Sequence, residues 1–358
     1  MNSSDPLLQP FTLKHLTLKN RIISTSHEPA YSEDGLPKTR YRLYHEEKAK
    51  GGLALTMFGG GTLVAPDAAP AYGNLYAGDD RIVPYFRTLA EAVHRHGAAT
   101  MCQITHLGRR TSSYAGHWLP AIAPSSIREP AHRAFPKAME DWDIRRVVRS
   151  YGAAAIRCRD GDLDGIEVEA YGHLFDSFWS PALNHRADRY GGSLENRMRF
   201  GIEVLQEIRR QVGDDYIVGI RMVFDEMLDG GLAFDEGMKI GEILTNSGLI
   251  DFISVIRGHI ETSAGLADVI PNMGTPGAPY LAFAGEIKQA FDLPVMHAAR
   301  INDVATARYA VREGLLDLVG MTRAHLADPH IVAKIIRGEE DQVRPCVGAG
   351  YCIDRIYG

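Results

Sequence analysis

Residues 165–222 read GIEVEAYGHLFDSFWSPALNHRADRYGGSLENRMRFGIEVLQEIRRQVGDDYIVGIRM. The stretch opens on a short apolar run, Gly165–Val168, and closes on another, Ile217–Met222. Between them Ser193–Val212 has a helical pattern: Ser193 is a good N-cap and Glu195 puts an acid in the first turn. Strand, helix and strand in that order make a βαβ unit, whose two strands run parallel.

The same alternation runs outward in both directions. Strands are predicted at Arg21–Ser26, Leu53–Phe58, Ala98–Ile104, Asp251–Val255, Pro294–His297 and Leu316–Gly320. Helices are predicted at Thr39–Lys50, Val83–His96, Asp141–Arg159, Asp235–Ser247, Tyr280–Phe291, Asp303–Glu313 and Asp328–Arg337. With the first unit this makes eight strands, each followed by a helix. That count argues an α/β closed (β/α)8 barrel, the TIM architecture. A doubly wound sheet would want a G-x-G-x-x-G turn after its first strand. Gly59, Gly60 and Gly61 run into Thr62, Leu63 and Val64 instead. The long irregular stretches Leu107–Asp141 and Arg257–Pro279 follow strands three and six, so they belong on the catalytic face. The expected division is a barrel over 1–340 and a C-terminal extension over 341–358.

The bulk properties narrow the partners. A chain of 358 residues, 45% hydrophobic, is long enough for a full core. A net charge of −6 leaves no electrostatic footprint for nucleic acid or an anionic membrane. The N-terminus, MNSSDPLLQPF, has no basic segment followed by an apolar run, and no apolar run is long enough to span a bilayer. Four cysteines make no disulfide framework. A cytoplasmic setting and a homo-oligomeric assembly are the expectations.

Within the opening stretch lies N-x-R-x-D-x-Y-G-G-S-x-E-N-R, carried by Asn184, Arg186, Asp188, Tyr190, Gly191, Gly192, Ser193, Glu195, Asn196 and Arg197. No rule of helix or strand chemistry produces that string. It resembles the signature of the Old Yellow Enzyme family of FMN-dependent NADH:flavin oxidoreductases. The resemblance runs from Leu7 to Tyr357. It implies FMN over the C-terminal ends of the strands and assigns residues around it. Ser26 and His27, in LKNRIISTSHEP, would line the isoalloxazine. Glu28 stands where some relatives carry a flavin-tethering cysteine, so the FMN would be non-covalent. Gly60 would face the pyrimidine side, where a missing side chain admits a planar ring. Gln103, in CQITHLGRR, would hydrogen-bond the flavin carbonyl and imide, with His106 in a core or loop role. Arg221 would stabilise the N1–C2=O edge of reduced flavin. Ala299, Arg300, Thr322 and Arg323 would take the phosphate, with alanine at Ala298 and Ala299 where the family usually shows glycine.

The substrate side departs from the ene-reductase pattern of His-x-x-His or His-x-x-Asn. Here EVEAYGHLFDSFWSP brings Glu169, Tyr171 and His173 to that region. A carboxylate is a poor partner for a carbonyl oxygen and suits an ammonium; the alternative is that Glu169 turns away to an arginine. The pattern resembles the amine-oxidising branch of trimethylamine, histamine and N-methyl amino acid dehydrogenases or demethylases. The expected reaction is therefore oxidative N-demethylation of a small N-methylated amine or amino acid, with hydride transfer to flavin N5. Glu169, Tyr171 and His173 are the catalytic candidates. Glu28, Trp179 and Arg257 are the substrate candidates, with core packing open for Trp179 and a solvated loop open for Arg257. An NAD(P)H-dependent ene-reductase acting on an enone or enoyl thioester is the rival, and a flavin-free barrel lyase or binding module a more distant one. The electron acceptor, or NAD(P)H, is left open.

The C-terminal RPCVGAGYCIDRIYG resembles the start of a C-I-G-C-N-x-C cluster motif. Cys346 and Cys352 match, but Ala349 replaces the second ligand. Two thiolates do not hold a four-iron cluster, so neither an iron–sulfur cluster nor another metal is expected in this chain.

Overall fold

The computed structural model describes residues 4–68, 73–111 and 119–357. Residues 112–118 of the long loop after strand three, and Gly358 at the end of the extension, lie outside them. Eight parallel strands close into a barrel in sequence order. They are β1 (Ile22–Ser24), β2 (Leu55–Leu63), β3 (Ala99–Thr105), β4 (Gly165–Ala170), β5 (Ile217–Val223), β6 (Phe252–Ile256), β7 (Val295–His297) and β8 (Leu318–Gly320). The long outer helices are α1 (Thr39–Lys50), α2 (Val83–His94), α3 (Asp141–Asp160), α4 (Leu194–Val212), α5 (Phe234–Asn246), α6 (Leu281–Ala290) and α7 (Val304–Arg312), followed by α8 (Ile331–Arg337).

The alternation of strand side chains sorts the core into two layers. On β5, Val218, Ile220 and Met222 face the helices, while Ile217 fills the barrel bottom with Leu55, Met101, Phe252 and Leu318. A hairpin that the sequence reading missed, Phe11–Leu13 paired with Leu16–Leu18, closes that bottom, with Leu13 and Leu18 buried against the same cluster. The same alternation carries Arg221 inward at the upper end of β5. On β4 it puts Ile166, Val168 and Ala170 outside and Glu167 and Glu169 on the other face.

Element ends differ from expectation for local reasons. β1 stops at Ser24 because Thr25 N–H donates to Thr322 Oγ1 (2.9 Å) instead of continuing the ladder. β2 runs on to Leu63 because the ladder slips between Phe58 and Thr62 and then resumes. The slip is the triple glycine, with φ of +67° at Gly59 and +88° at Gly61. The Arg257–Pro279 stretch, expected as irregular, contains a helix over Ser263–Val269, capped by Thr262 Oγ1 accepting from Gly265 N–H (3.0 Å). Further short helices lie at Leu174–Ser177, Thr322–Ala327 and Tyr351–Tyr357. No helix among the described residues is long and apolar enough to cross a membrane.

Candidate active site

One cleft opens at the C-terminal end of the barrel, and most of the predicted site residues line it. Ser26, His27, Glu28, Gly60, Glu169, Tyr171, His173, Arg221, Ala299, Thr322 and Arg323 share its wall. Arg300 lines an adjoining recess with Ala299, Thr322 and Arg323.

The floor is set by strand register. Glu167 pairs with Gln103 on β3, and Glu169 stands opposite Arg221 on β5. Arg221 Nη1 donates to the Ser26 carbonyl (2.9 Å) and to Ser26 Oγ (3.0 Å), and Ser26 Oγ donates to Glu167. Glu167 is a buried carboxylate that the sequence reading passed over. Its signal was available, since E-x-E at a spacing of two puts it on the same strand face as Glu169. Gly60 presses on the neighbouring turn: a Cβ there would lie 2.6 Å from His27 and Glu28 backbone atoms.

His27 Nδ1 pairs with the Thr25 carbonyl (2.9 Å), so Nε2 is the acceptor for Tyr44 Oη at 2.7 Å. Behind it Lys48 is fully buried, 3.2 Å from His27 Nε2 and 3.9 Å from the Tyr44 ring centroid. Burial holds that ammonium well below its ordinary pKa. Glu28 accepts from Ala30 N–H (2.9 Å), and burial pushes its carboxyl well above the usual range.

At the substrate end, Asp176 accepts from the backbone N–H of Gly172 (2.6 Å) and His173 (3.0 Å), which holds the turn beyond β4. This leaves His173 Nε2 3.5 Å from Glu169 Oε2. Burial pushes Glu169 up to about 8, against the pull of Arg221. Burial also depresses His173 well below its ordinary value, with the Arg110 charge adding to it.

Three predicted residues stand elsewhere. Gln103 is fully buried, with its Oε1 accepting from Gly61 N–H (3.1 Å) and its Nε2 donating to Glu167 (2.7 Å), so both ends of its amide are engaged within the protein. Trp179 is 0% exposed and packs edge-on against Phe175, 5.2 Å between centroids. It belongs to the core and forms no wall of a cation cage. Arg257 is held by Asp225 (3.0 Å) and lies 4.8 Å from the Phe283 ring centroid, outside the cleft wall. His106 is buried between the Asp67 carboxylate (3.2 Å) and Gly108 N–H (3.0 Å), on its own strand end.

The cleft residues fit FMN. Arg221 Nε, Glu28 Oε2, Glu169 Oε2, His173 Nδ1 and His297 Nε2 are buried with no hydrogen-bond partner among the described residues, and all five belong to the cleft wall. Buried polar atoms are ordinarily paired, so this convergence calls for a polar ligand. Ala299 and Arg300 have φ of +64° and +61°, the left-handed conformation that glycine would take without strain. Arg300 is pinned by the Asn272 and Thr275 carbonyls, and Arg323 Nη1 donates to the Pro271 carbonyl (2.7 Å). Both arginines border the recess where a phosphate would sit. Arg221 would meet the flavin's anionic edge. Cys346 lines that recess as well, and Cys346 and Cys352 are both unpaired.

The NADH:flavin oxidoreductase / NADH oxidase family matches residues 6–342. The chain is 57% identical over 354 residues to a probable N-methylproline demethylase of Rhizobium meliloti (strain 1021), covering 99% of this chain and 52% of that protein. It is 56% identical over 351 residues to a multifunctional alkene reductase/demethylase of Caballeronia cordobensis, covering 98% and 52%. The structure of histamine dehydrogenase from Rhizobium sp. 4-9 matches with a TM-score of 0.88 at 25% identity, over 98% of this chain and 50% of that one. The chain spans about half the length of the curated relatives it matches.

Proposed function

We propose, on the premise that this chain belongs to the NADH:flavin oxidoreductase / NADH oxidase family and takes FMN as its cofactor, that it performs oxidative N-demethylation of a small N-methylated amine or amino acid. The observation that carries the reading is the substrate end of the cleft. A buried carboxylate and a neutral imidazole stand 3.5 Å apart there, each with an unpartnered atom. That pair suits an ammonium and its proton. The 57% identity to a probable N-methylproline demethylase supports the amino-acid form.

When bound, FMN supplies the acceptor for the hydride that leaves the N-methyl carbon. The chain's own residues prepare the amine. Only the neutral amine has a lone pair to expel hydride, so the ammonium must first lose its proton. Glu169, pushed up to about 8 by burial, is a base matched to that task. His173, kept neutral by burial, stands 3.5 Å from that carboxyl group and positions it, while the proton stays on Glu169, the stronger base of the two. Tyr171 lines the same wall. Water then hydrolyses the substrate iminium to formaldehyde and the demethylated amine. The FMN is held non-covalently, because Glu28 cannot form a thioether. We place the FMN barrel at 1–340 and an extension at 341–358, and propose a homo-oligomer.

A second reading, NAD(P)H-dependent alkene reduction, is favoured by Tyr171, a side chain able to donate a proton, on the cleft wall and by the relative named alkene reductase/demethylase. Anaerobic titration with a panel of N-methyl amines and amino acids, followed by flavin absorbance and formaldehyde release, decides between them. Bleaching with formaldehyde supports demethylation. No bleaching by any of the panel, together with reoxidation of the NADH-reduced protein by enones, overturns it in favour of the second reading.

A further inference from the structure

Arg110 lies five residues past the end of β3 and one past the Q-x-x-H-x-G-R motif, and it lines the cleft. It is 6% exposed. Its Nη1 donates to Glu129 Oε1 (3.1 Å) and to the Ile260 carbonyl, so two loops from different strands hold it. Both bonds use the same nitrogen. Nε and Nη2 make no hydrogen bond among the described residues. Glu129 forms an ion pair with Arg110 through Oε1, and its other oxygen accepts from His132 N–H and lies 3.3 Å from His132 Nδ1. Arg110 also borders a second cavity that joins the cleft along Ile260, Leu266, Ile270 and Ile353.

Resting on the demethylation reading, we propose that Arg110 is the specificity-determining residue that binds the carboxylate of an N-methyl amino acid and selects it over the corresponding amine. An amino acid sets its nitrogen and carboxylate two bonds apart, so their receptors must converge on one small volume. Glu169 and His173 supply one receptor and Arg110 the other, on the wall of a single cleft. Ile260, Leu266, Val269 and Ile270 on the same wall give the substrate carbons an apolar surface. The guanidinium edge formed by Nε and Nη2, without a partner among the described residues, offers two parallel donors, the geometry that matches a carboxylate. Its two anchors fix that edge before substrate arrives, which lowers the ordering cost of binding. Arg257 has no such edge toward the cleft, because Asp225 holds it outside the wall.

The test compares FMN-loaded wild type, Arg110→Met and Arg110→Lys in anaerobic flavin reduction by N-methylproline and by N-methylpyrrolidine, which lacks the carboxylate. Arg110→Met is expected to lose about 30-fold or more in kcat/KM with N-methylproline and less than about threefold with N-methylpyrrolidine, the size of a lost charged hydrogen bond. Arg110→Lys keeps the charge without the fork and is expected to fall between. Equal losses with both substrates, or none with either, overturn the role of Arg110 while the demethylation reading stands. Wild type reduced by neither substrate removes that reading and this inference together. If Arg110→Met fails to fold, Arg110→Lys decides alone: a loss of about tenfold confined to N-methylproline supports the clamp, and an unchanged ratio of the two substrates overturns it.

Discussion

Glu169 and Arg221 face each other from adjacent strands of the barrel, whereas Arg110 reaches the same cleft from a loop and is held there by Glu129 of that loop and by the loop after β6. The first pair is placed by ladder register. Its position is as rigid as the sheet, and every neighbour along the strand shares its constraints. Arg110 is placed by one side chain and one carbonyl contributed from distant sequence. The floor should therefore resist change, and the roof should be where related chains diverge in substrate.

The largest effect should come from breaking the floor. Gly60→Ala puts a Cβ 2.6 Å from His27 and Glu28 backbone atoms, which cannot move aside as a flexible side chain could. A destabilisation of about 3 kcal/mol is expected, with loss of FMN, measured by denaturant unfolding and flavin fluorescence. An unchanged midpoint would show that the floor yields like a loop. Next, Arg323→Ala should weaken FMN binding by about 1.5–3 kcal/mol, with substrate preference intact. A changed preference would mean that the phosphate end and the roof are coupled.

The Glu169 base sharpens the comparison through pH. Its base form is populated above about 8, so kcat/KM should fall about tenfold per pH unit below that value. Glu169→Gln should abolish that limb, and a variant keeping the same profile would assign it to another group. Ala299→Gly relieves the left-handed strain but frees the unfolded chain, so a change within about 1 kcal/mol is expected in thermal unfolding. The smallest effect belongs to Arg257→Met. It should leave the ratio of N-methylproline to N-methylpyrrolidine turnover unchanged, since Asp225 already engages that guanidinium.

Floor and roof also differ in how far they could be read from the chain. The strand ends were legible because each inward side chain follows from period-two alternation. Glu169 and Arg221 obey that rule on β4 and β5, but the family resemblance is what places them and Ser26, two residues past the end of β1, on the cleft. Gly60 reads as a close approach to a planar ring, and the structure shows the His27 and Glu28 backbone pressed against it. What failed was the direction of side chains governed by tertiary contacts. Trp179 carries the right chemistry for a cation wall, but it packs against Phe175 within the core. Arg257 sits at the right strand end, but Asp225, 32 residues earlier, captures it. Gln103 lies on the expected strand, and its bonds to Gly61 and Glu167 are tertiary contacts that the sequence does not mark. Arg110 escaped notice because nothing local marks it. Its two anchors lie 19 and 150 residues away.

The hairpin at Phe11–Leu18 carries a kinetic consequence. By burying Leu13 and Leu18 against the barrel bottom, it closes the end of the barrel opposite the cleft. On the demethylation proposal, an amine and a diffusible electron acceptor that both enter from the cleft face would use the same doorway in turn. Each must vacate before the other can approach. Steady-state rates with both varied should give parallel double-reciprocal lines, and each partner should inhibit competitively against the other when present in excess.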